Sequence, residues 1–292
     1  MTPVSYSKSR SYWSATAGDL GQFMAVVNDT KTRWWDFWRW RVDPWFRGVS
    51  DEGHRLVPGV YRPDVPESLD EDDLRDDFTT RAWPFLSGTA DVPRDDWDWY
   101  FLMQHYGILT RLLDWTEAAG VGAYFALRSQ RPSNPAIWLL DPFQLNQKVA
   151  RWKDAILDVS DTRLQRYLRP PFYEHALPRH PVAFLPPFKS RRIVAQKGAF
   201  TIHGESRRGL DEYSMGGHLV KVVVKRRDVV HLREELACLG ITETSVFPEL
   251  EGLSREVVAY WTPVEATERV KVVRTTISRR QLKPQSPRLR HR

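Results

Sequence analysis

The pattern of hydrophobic and polar positions predicts both helices and strands along this chain. Apolar and aromatic side chains recur every three or four residues between positions 17 and 40, which is the period of an amphipathic helix. Residues 118–127 are rich in small side chains and predict a helix that lies close against a sheet. A further helix is predicted at residues 233–239, where Gly240 supplies the stop.

Strands are predicted where apolar residues alternate with polar ones or form short continuous runs. Such runs lie at residues 110–115, 136–140, 193–202 and 218–225. A shorter extended segment at residues 44–47 follows a proline and is predicted to turn at Gly48. Together these elements predict an α+β fold, in which helices cover a small mixed sheet and an N-terminal helical layer precedes it.

Three parts of the chain are predicted: an N-terminal helical layer at residues 1–43, a central domain at residues 44–267, and a basic, flexible tail at residues 268–292. The last part contains nine Lys or Arg residues and one acid, so its local charge is +8. The whole chain carries +6, which leaves −2 for the rest. A solvated basic tail is the favoured interpretation, and a weak, salt-sensitive nucleic-acid contact is the alternative.

The composition excludes several classes of protein. The single cysteine, Cys238, cannot form an intramolecular disulfide or a Cys-based zinc site. The N-terminus has no continuous apolar block of signal-peptide length, and no later stretch approaches the ~20 apolar residues of a spanning helix. The eight acids at residues 64–77 favour a solvated helix over a metal site. We therefore expect a cytoplasmic protein with no membrane partner and no bound metal.

The first motif that could bind a ligand or take part in catalysis is Phe46-Arg47-Gly48. An arginine between an aromatic residue and a glycine at a strand end can reach across a cleft. Its planar guanidinium can grip a phosphate or ribose through two hydrogen bonds. An ordinary surface arginine in a turn is the alternative.

The second motif runs from Gln104-His105-Tyr106-Gly107 into the predicted strand at residues 110–116. Polar side chains here sit beside a buried strand, where an unpaired polar group is costly. The segment contributes His105, Tyr106, Thr110, Arg111, Asp114 and Thr116. These side chains indicate either a ligand site or a structural hydrogen-bond network.

The third motif is an Arg-x-x-x-Gln-x-Gly-x-Phe pattern at residues 192–200. On a strand, Arg192 and Gln196 would share one face, since side chains alternate. A later turn bounded by proline and glycine carries Glu249 and Glu251. Solvent exposure is the simple interpretation of those two acids.

In their order along the chain these motifs resemble the FRG-domain family, which is named for an aromatic-Arg-Gly motif. The resemblance covers residues 44–253 and is most specific at residues 110–116. One departure is Val49, which stands where many members carry glutamine. The family resemblance does not by itself specify a function, because site and fold are separate arguments.

A weaker resemblance to ADP-ribosyltransferases implies an activity. Arg47, the turn at residues 56–59, residues 114–116 and the helix at residues 123–126 occur in the order typical of that fold. The resemblance implies an ADP-ribosyltransferase-like sheet, NAD as the substrate, and a protein or nucleic acid as the acceptor. A bacterial or phage toxin or defence effector is the implied biological class.

Cleavage of the nicotinamide bond gives a ribosyl cation, so the site needs a carboxylate or amide near the ribose and an anchor for the pyrophosphate. Arg47 would be the anchor, and Glu249 or Gln196 the polar group, with Asp114 and Glu251 as competing acids. The predicted NAD contacts are Arg47, Gly48, His105, Tyr106, Thr110, Arg111, Thr116 and Arg192. A non-catalytic module that binds a nucleotide or a protein, and a nucleic-acid-binding protein that uses the basic tail, are the alternatives.

Overall fold

The computed structural model describes residues 4–86, 92–129, 131–152, 156–168 and 176–262. The strands are β1 Ser7–Lys8, β2 Trp13–Ala17, β3 Trp45–Val49, β4 Leu112–Thr116, β5 Ala136–Leu140, β6 Leu157–Asp158, β7 Val182–Leu185, β8 Gly198–Ile202 and β9 Leu219–Val224. The α-helices are α1 Leu20–Trp38, α2 Glu71–Leu86, α3 Asp96–His105, α4 Ala119–Leu127, α5 Pro142–Lys148, α6 Thr162–Gln165, α7 Arg191–Gln196, α8 Val229–Cys238, α9 Glu243–Val246 and α10 Leu250–Trp261. The predicted α+β class is confirmed, and the predicted basic tail lies outside the described residues.

The strands form one mixed sheet in the order β1-β2-β9-β5-β3-β4-β8-β7-β6. β2 pairs in parallel with β9, and β6 with β7, while the other neighbours are antiparallel. All five residues of the central strand β5 are buried, because helices cover both of its faces. The N-terminal segment supplies helix α1, as predicted, and also two strands that the sequence pattern does not predict.

Helices pack on both faces of the sheet. On one face α1, α4 and α8 bury a core that includes Phe23, Trp34 and Leu232. On the other face Trp115 and Trp138 pack with α5, and a neighbouring aromatic cluster joins α3 to β7 and β8. Each such side chain contributes about 1.5–3 kcal/mol on burial. Within the described part of the chain, no helix is both long and apolar enough to cross a membrane.

Gly48 brings strand β3 and helix α4 into backbone contact. It lies within the strand, so the predicted turn at Gly48 is wrong. A Cβ atom at this position would lie 2.2 Å from the Ala126 nitrogen and 2.3 Å from the Gly122 oxygen. Only glycine permits that approach. Gly122 is equally constrained, because a Cβ atom added there would lie 2.6 Å from the Phe46 Cβ. The glycine of the motif therefore serves packing, while Arg47 points to the opposite face of the strand.

The predicted strand at residues 193–202 is half wrong. Helix α7 occupies Arg191–Gln196, and only Gly198–Ile202 form strand β8. The Ser190 hydroxyl caps α7 by accepting the Ile193 N–H, and Lys197 ends the helix in a left-handed conformation at φ 45°. Arg192 and Gln196 therefore share a helix face at a spacing of four residues, since the short helix replaces the first part of the strand.

Candidate functional site

A cavity of about 730 Å³ opens beside the middle of the sheet, between β3, β4, α3 and α7. Its volume is that of a typical small-molecule or cofactor site. It is lined by eight residues that the sequence analysis selects: Arg47, Gly48, His105, Tyr106, Asp114, Thr116, Arg192 and Gln196. The three motifs therefore meet at one place, although they are far apart in sequence.

Arg47 is a largely buried cation on the cavity wall. Its side chain is 17% exposed. Nη1 donates to the Asp114 backbone carbonyl at 2.7 Å and lies 3.7 Å from Asp114 Oδ2. Nε is buried and has no hydrogen-bond partner among the described residues. Burial lowers the pKa of Arg47, the Asp114 charge partly offsets this, and Arg62 lowers the pKa further. A desolvated guanidinium with a spare donor suits an anionic ligand.

Asp114 is held by a short chain of side-chain hydrogen bonds. Its side chain is 56% exposed, and Oδ2 accepts a bond from Gln104 Nε2 at 2.9 Å. Thr110 Oγ1 donates to Gln104 Oε1 at 2.5 Å, which fixes the amide with its nitrogen toward the carboxylate. Gln104 also lines the cavity; the sequence places it in the second motif but does not predict it as a site residue. Thr110 is predicted to contact the ligand, but it is buried and does not line the cavity. It contacts the cavity residue Gln104 instead.

Helix α7 supplies a second cation and an amide. The Arg192 guanidinium lies over the Phe247 ring, 4.7 Å from its centroid. Burial lowers the pKa of Arg192, and the charges of Glu249 and Asp114 oppose that shift. Gln196 Nε2 donates to the Val246 carbonyl at 3.2 Å. Its backbone carbonyl accepts from Thr116 Oγ1 at 2.5 Å, which ties α7 to strand β4.

Aromatic side chains form much of the remaining wall. They come from separate elements and comprise Phe46, Phe85, Phe101, Trp115, Phe125 and Phe200. An ion pair between Lys189 Nζ and Asp98 Oδ1, 2.8 Å long, joins the loop before α7 to helix α3 along the same wall. Apolar walls with a few convergent polar groups are typical of sites for planar organic ligands.

Arg111 lies in a separate buried network and not on the wall of this cavity. Its Nε pairs with Glu71 Oε2, Nη1 donates to the His203 carbonyl, and Nη2 donates to Tyr100 Oη and to the Tyr167 carbonyl. Burial alone would lower the pKa of Arg111, but the Glu71 charge outweighs it and raises that pKa. The assignment of Arg111 to the ligand is thereby corrected, because its donors serve the fold. Glu71, within the acidic run predicted to be solvated, is 6% exposed.

Glu249 also lies off the cavity wall. It occupies the N-cap position of helix α10 and is partly buried, near enough to Arg192 for its charge to act on that side chain. Of the three acids that the sequence analysis weighs, Asp114 is the one on the wall. Across the described ranges, no group of three or more His, Cys, Asp or Glu side chains is placed to hold a metal ion.

Comparison with known proteins identifies the segment that carries much of this site. No curated protein and no solved structure matches the chain. The FRG domain model matches residues 43–135. That segment includes Arg47, Gln104 and Asp114, and it ends before α7, so Arg192 and Gln196 come from outside it. Over this segment, about a third of the chain, the protein is therefore similar to the FRG domain.

Proposed function

We propose that this protein is an NAD-dependent ADP-ribosyltransferase, which cleaves the nicotinamide–ribose bond and transfers ADP-ribose to an acceptor. The observation that carries the proposal is the pairing, on one cavity wall, of the desolvated Arg47 guanidinium with the partly exposed Asp114 carboxylate. The first group suits an anion, and the second suits a cation that forms during reaction.

Arg47 and Arg192 provide the anionic subsite. Both line the cavity, and burial lowers the pKa of each, so a ligand that brings negative charge relieves an unfavourable environment. The free Nε of Arg47 adds a donor for bidentate binding. A pyrophosphate, with its several oxygens, would satisfy both guanidinium groups.

Asp114 would act on the reacting ribose. When the glycosidic bond breaks, nicotinamide leaves with the bonding electron pair and the ribose carbon becomes cationic. A carboxylate oriented in advance by Gln104 stabilises this charge without having to move. The acceptor nucleophile then forms the new bond to that carbon and loses its proton. Electrostatic stabilisation of this kind is usually a large part of catalysis.

The aromatic wall would take the two planar rings of NAD. Phe101 and Phe200 lie 5.3 Å apart between centroids, and Trp115 lines the same cavity. Rings of this type offer stacking surfaces for nicotinamide and adenine. The cavity's volume is in the range of sites that enclose most of such a ligand.

A non-catalytic nucleotide-binding module is the second candidate. It is favoured by the contacts that Asp114 already makes, since Gln104 and Arg47 both approach Oδ2. A carboxylate neutralised in this way has less charge to offer a ribosyl cation. Such a module would bind NAD through the same residues without turnover.

Release of labelled nicotinamide from NAD tests the proposal. We expect the wild-type protein to release nicotinamide, Asp114→Asn to bind NAD with much slower release, and Arg47→Lys to bind it weakly. Asp77→Asn on the exposed side of α2 is the matched control and should behave as wild type. Binding without any release would favour the module, and the absence of binding would overturn both candidates. NAD labelled in its adenine then shows whether a protein or a nucleic acid is the acceptor.

A further inference from the structure

Helix α10 turns its apolar side toward solvent. Its large exposed apolar side chains are Leu250, Leu253, Val257, Val258, Tyr260 and Trp261, with exposures from 46% to 81%. At 100° per residue these six positions occupy a single face roughly 160° wide. A surface helix normally buries that face and exposes its polar one. In α10 the apolar face is exposed, Gly252 is the buried residue of the helix, and no other element of the described chain covers the apolar face.

The opposite side of α10 is fixed to the protein, so the helix cannot rotate to bury its apolar face. Gly252 packs so closely that a Cβ there would lie 2.0 Å from the Phe247 oxygen. Arg255 Nε pairs with Glu243 Oε1 at 2.6 Å, and Glu256 Oε2 accepts the Thr244 N–H at 2.6 Å. These polar contacts set the orientation of the helix.

We propose that the apolar face of α10 is a homodimer interface, in which two copies of the helix pair antiparallel about a two-fold axis. This inference does not depend on the proposed function. The leucines lie at the start of the helix, and Tyr260 and Trp261 lie at its end. Antiparallel pairing places the aromatic end of one copy on the leucine end of the other, with Val257 near the axis. A two-fold interface requires this kind of self-complementarity.

Charge favours the antiparallel arrangement over a parallel one. The sequence that follows α10 carries a charge of +8 over residues 268–292. Parallel helices would bring two such segments out at the same end, where like charges repel. Antiparallel helices separate them and also oppose their macrodipoles.

The exposed apolar area is sufficient for a stable dimer. Aromatic side chains such as Tyr260 and Trp261 offer about 150–250 Å² each when buried, and Leu and Val side chains offer less. With the observed exposures, the six side chains present roughly 700 Å² per copy. The two copies together would bury an area within the range of about 1,200–2,000 Å² for stable protein interfaces.

Light scattering on the purified full-length chain tests the interface. We expect a wild-type dimer, and a monomer for the double substitution Tyr260→Ser with Trp261→Ser, with an unchanged far-UV circular dichroism spectrum because both side chains are exposed within a single copy. Phe188→Ser is the matched control, since Phe188 is 53% exposed and lies in the loop before α7, outside α10. The control should remain a dimer. A monomeric wild type, or a double variant that still dimerises, would overturn the proposal.

Cysteine cross-linking tests the direction of pairing. Cys238 is replaced by serine, and Leu250→Cys and Trp261→Cys proteins are prepared separately and then mixed under mild oxidation. Antiparallel pairing predicts that the mixture forms mainly a disulfide between the two different variants. Disulfides between identical variants would show parallel pairing and would reject the arrangement proposed here.

Discussion

Arg111 and Arg47 both lie in the segment that matches the FRG domain model but occupy opposite kinds of environment. Arg111 is closed in by Glu71, Tyr100 and two backbone carbonyls, so its donors are spent within the fold. Arg47 has a single carbonyl partner, a carboxylate at 3.7 Å, and a buried Nε without a partner in the described structure. One arginine completes a core, and the other keeps a buried donor without a partner in the described structure.

The difference teaches that burial alone does not mark a functional residue. Both arginines are desolvated, and for both the cost of burial opposes the charged form. A guanidinium whose donors all have partners in the protein has its desolvation cost offset within the fold. A guanidinium with an unpaired donor does not, and a bound anion can offset the remaining cost. The predictions below test this contrast, beginning with the largest expected effect.

Replacing Arg111 with leucine should destabilise the fold most. Glu71 would remain buried without its counter-charge, and the Tyr100 hydroxyl and two carbonyls would lose a donor. Breaking a buried pair in this way costs about 3–5 kcal/mol in the free energy of unfolding. Urea denaturation measures the change.

Arg81→Leu is the matched control for that substitution. Arg81 pairs with Asp77 on the solvent side of α2, and both side chains are more than half exposed. Pairs of this kind contribute about 0–1 kcal/mol. If Arg111→Leu lowered the free energy of unfolding as little as Arg81→Leu does, the hydrogen-bond network around Arg111 would not stabilise the fold.

Replacing Arg47 with lysine should weaken NAD binding and not the fold. Lysine keeps the charge but loses the planar guanidinium with its two parallel donors. NAD binding should therefore weaken by about 1.5–3 kcal/mol. Calorimetric titration with NAD measures this change. Arg47→Met should leave the free energy of unfolding unchanged or raise it, because it removes a poorly paired buried charge. Unchanged affinity with a lowered melting temperature would reverse the contrast and make Arg47 structural.

His203, whose backbone carbonyl accepts a hydrogen bond from Arg111, should give the fold a pH dependence through its buried imidazole. Burial lowers the pKa of His203 from 6.5 to about 3. Between these values the unfolded chain binds a proton that the folded protein excludes. The free energy of unfolding should therefore fall as pH drops below about 6.5, by about 1.4 kcal/mol per pH unit from this group. His203→Gln should remove that contribution, which urea denaturation from pH 7 to pH 5 measures. Equal slopes for the two proteins would contradict the buried neutral histidine.

Thr110→Val should have the smallest effect. It tests whether the buried Thr110 hydroxyl supports the cavity residues Gln104 and Asp114. The substitution removes the hydroxyl that orients Gln104, so the amide is free to turn away from Asp114. We expect a loss of about 1 kcal/mol, roughly fivefold in nicotinamide release. Thr110→Ser keeps the hydroxyl and should restore the rate. No rescue by serine would mean that Thr110 acts only through packing.

Sequence alone predicts the elements whose local signals are strong. Helix α1 follows from a sustained helical period, α4 from its run of small residues, and the end of α8 from Gly240, which adopts φ +75°. The Arg47 motif and the segment containing Asp114 also stand out, because polar groups beside buried strands are unusual. These features follow from neighbours in the chain, and sequence determines them directly.

Tertiary structure alone separates Arg111 from Arg47. The partner of Arg111 is Glu71, forty residues away in a run of acids where no local pattern distinguishes it from solvated neighbours. Helix α7 likewise replaces a predicted strand, because a serine cap and a left-handed Lys197 outweigh the apolar alternation. Whether a polar side chain is paired or left open depends on groups brought together by folding, so the spacing of residues in the sequence cannot determine it.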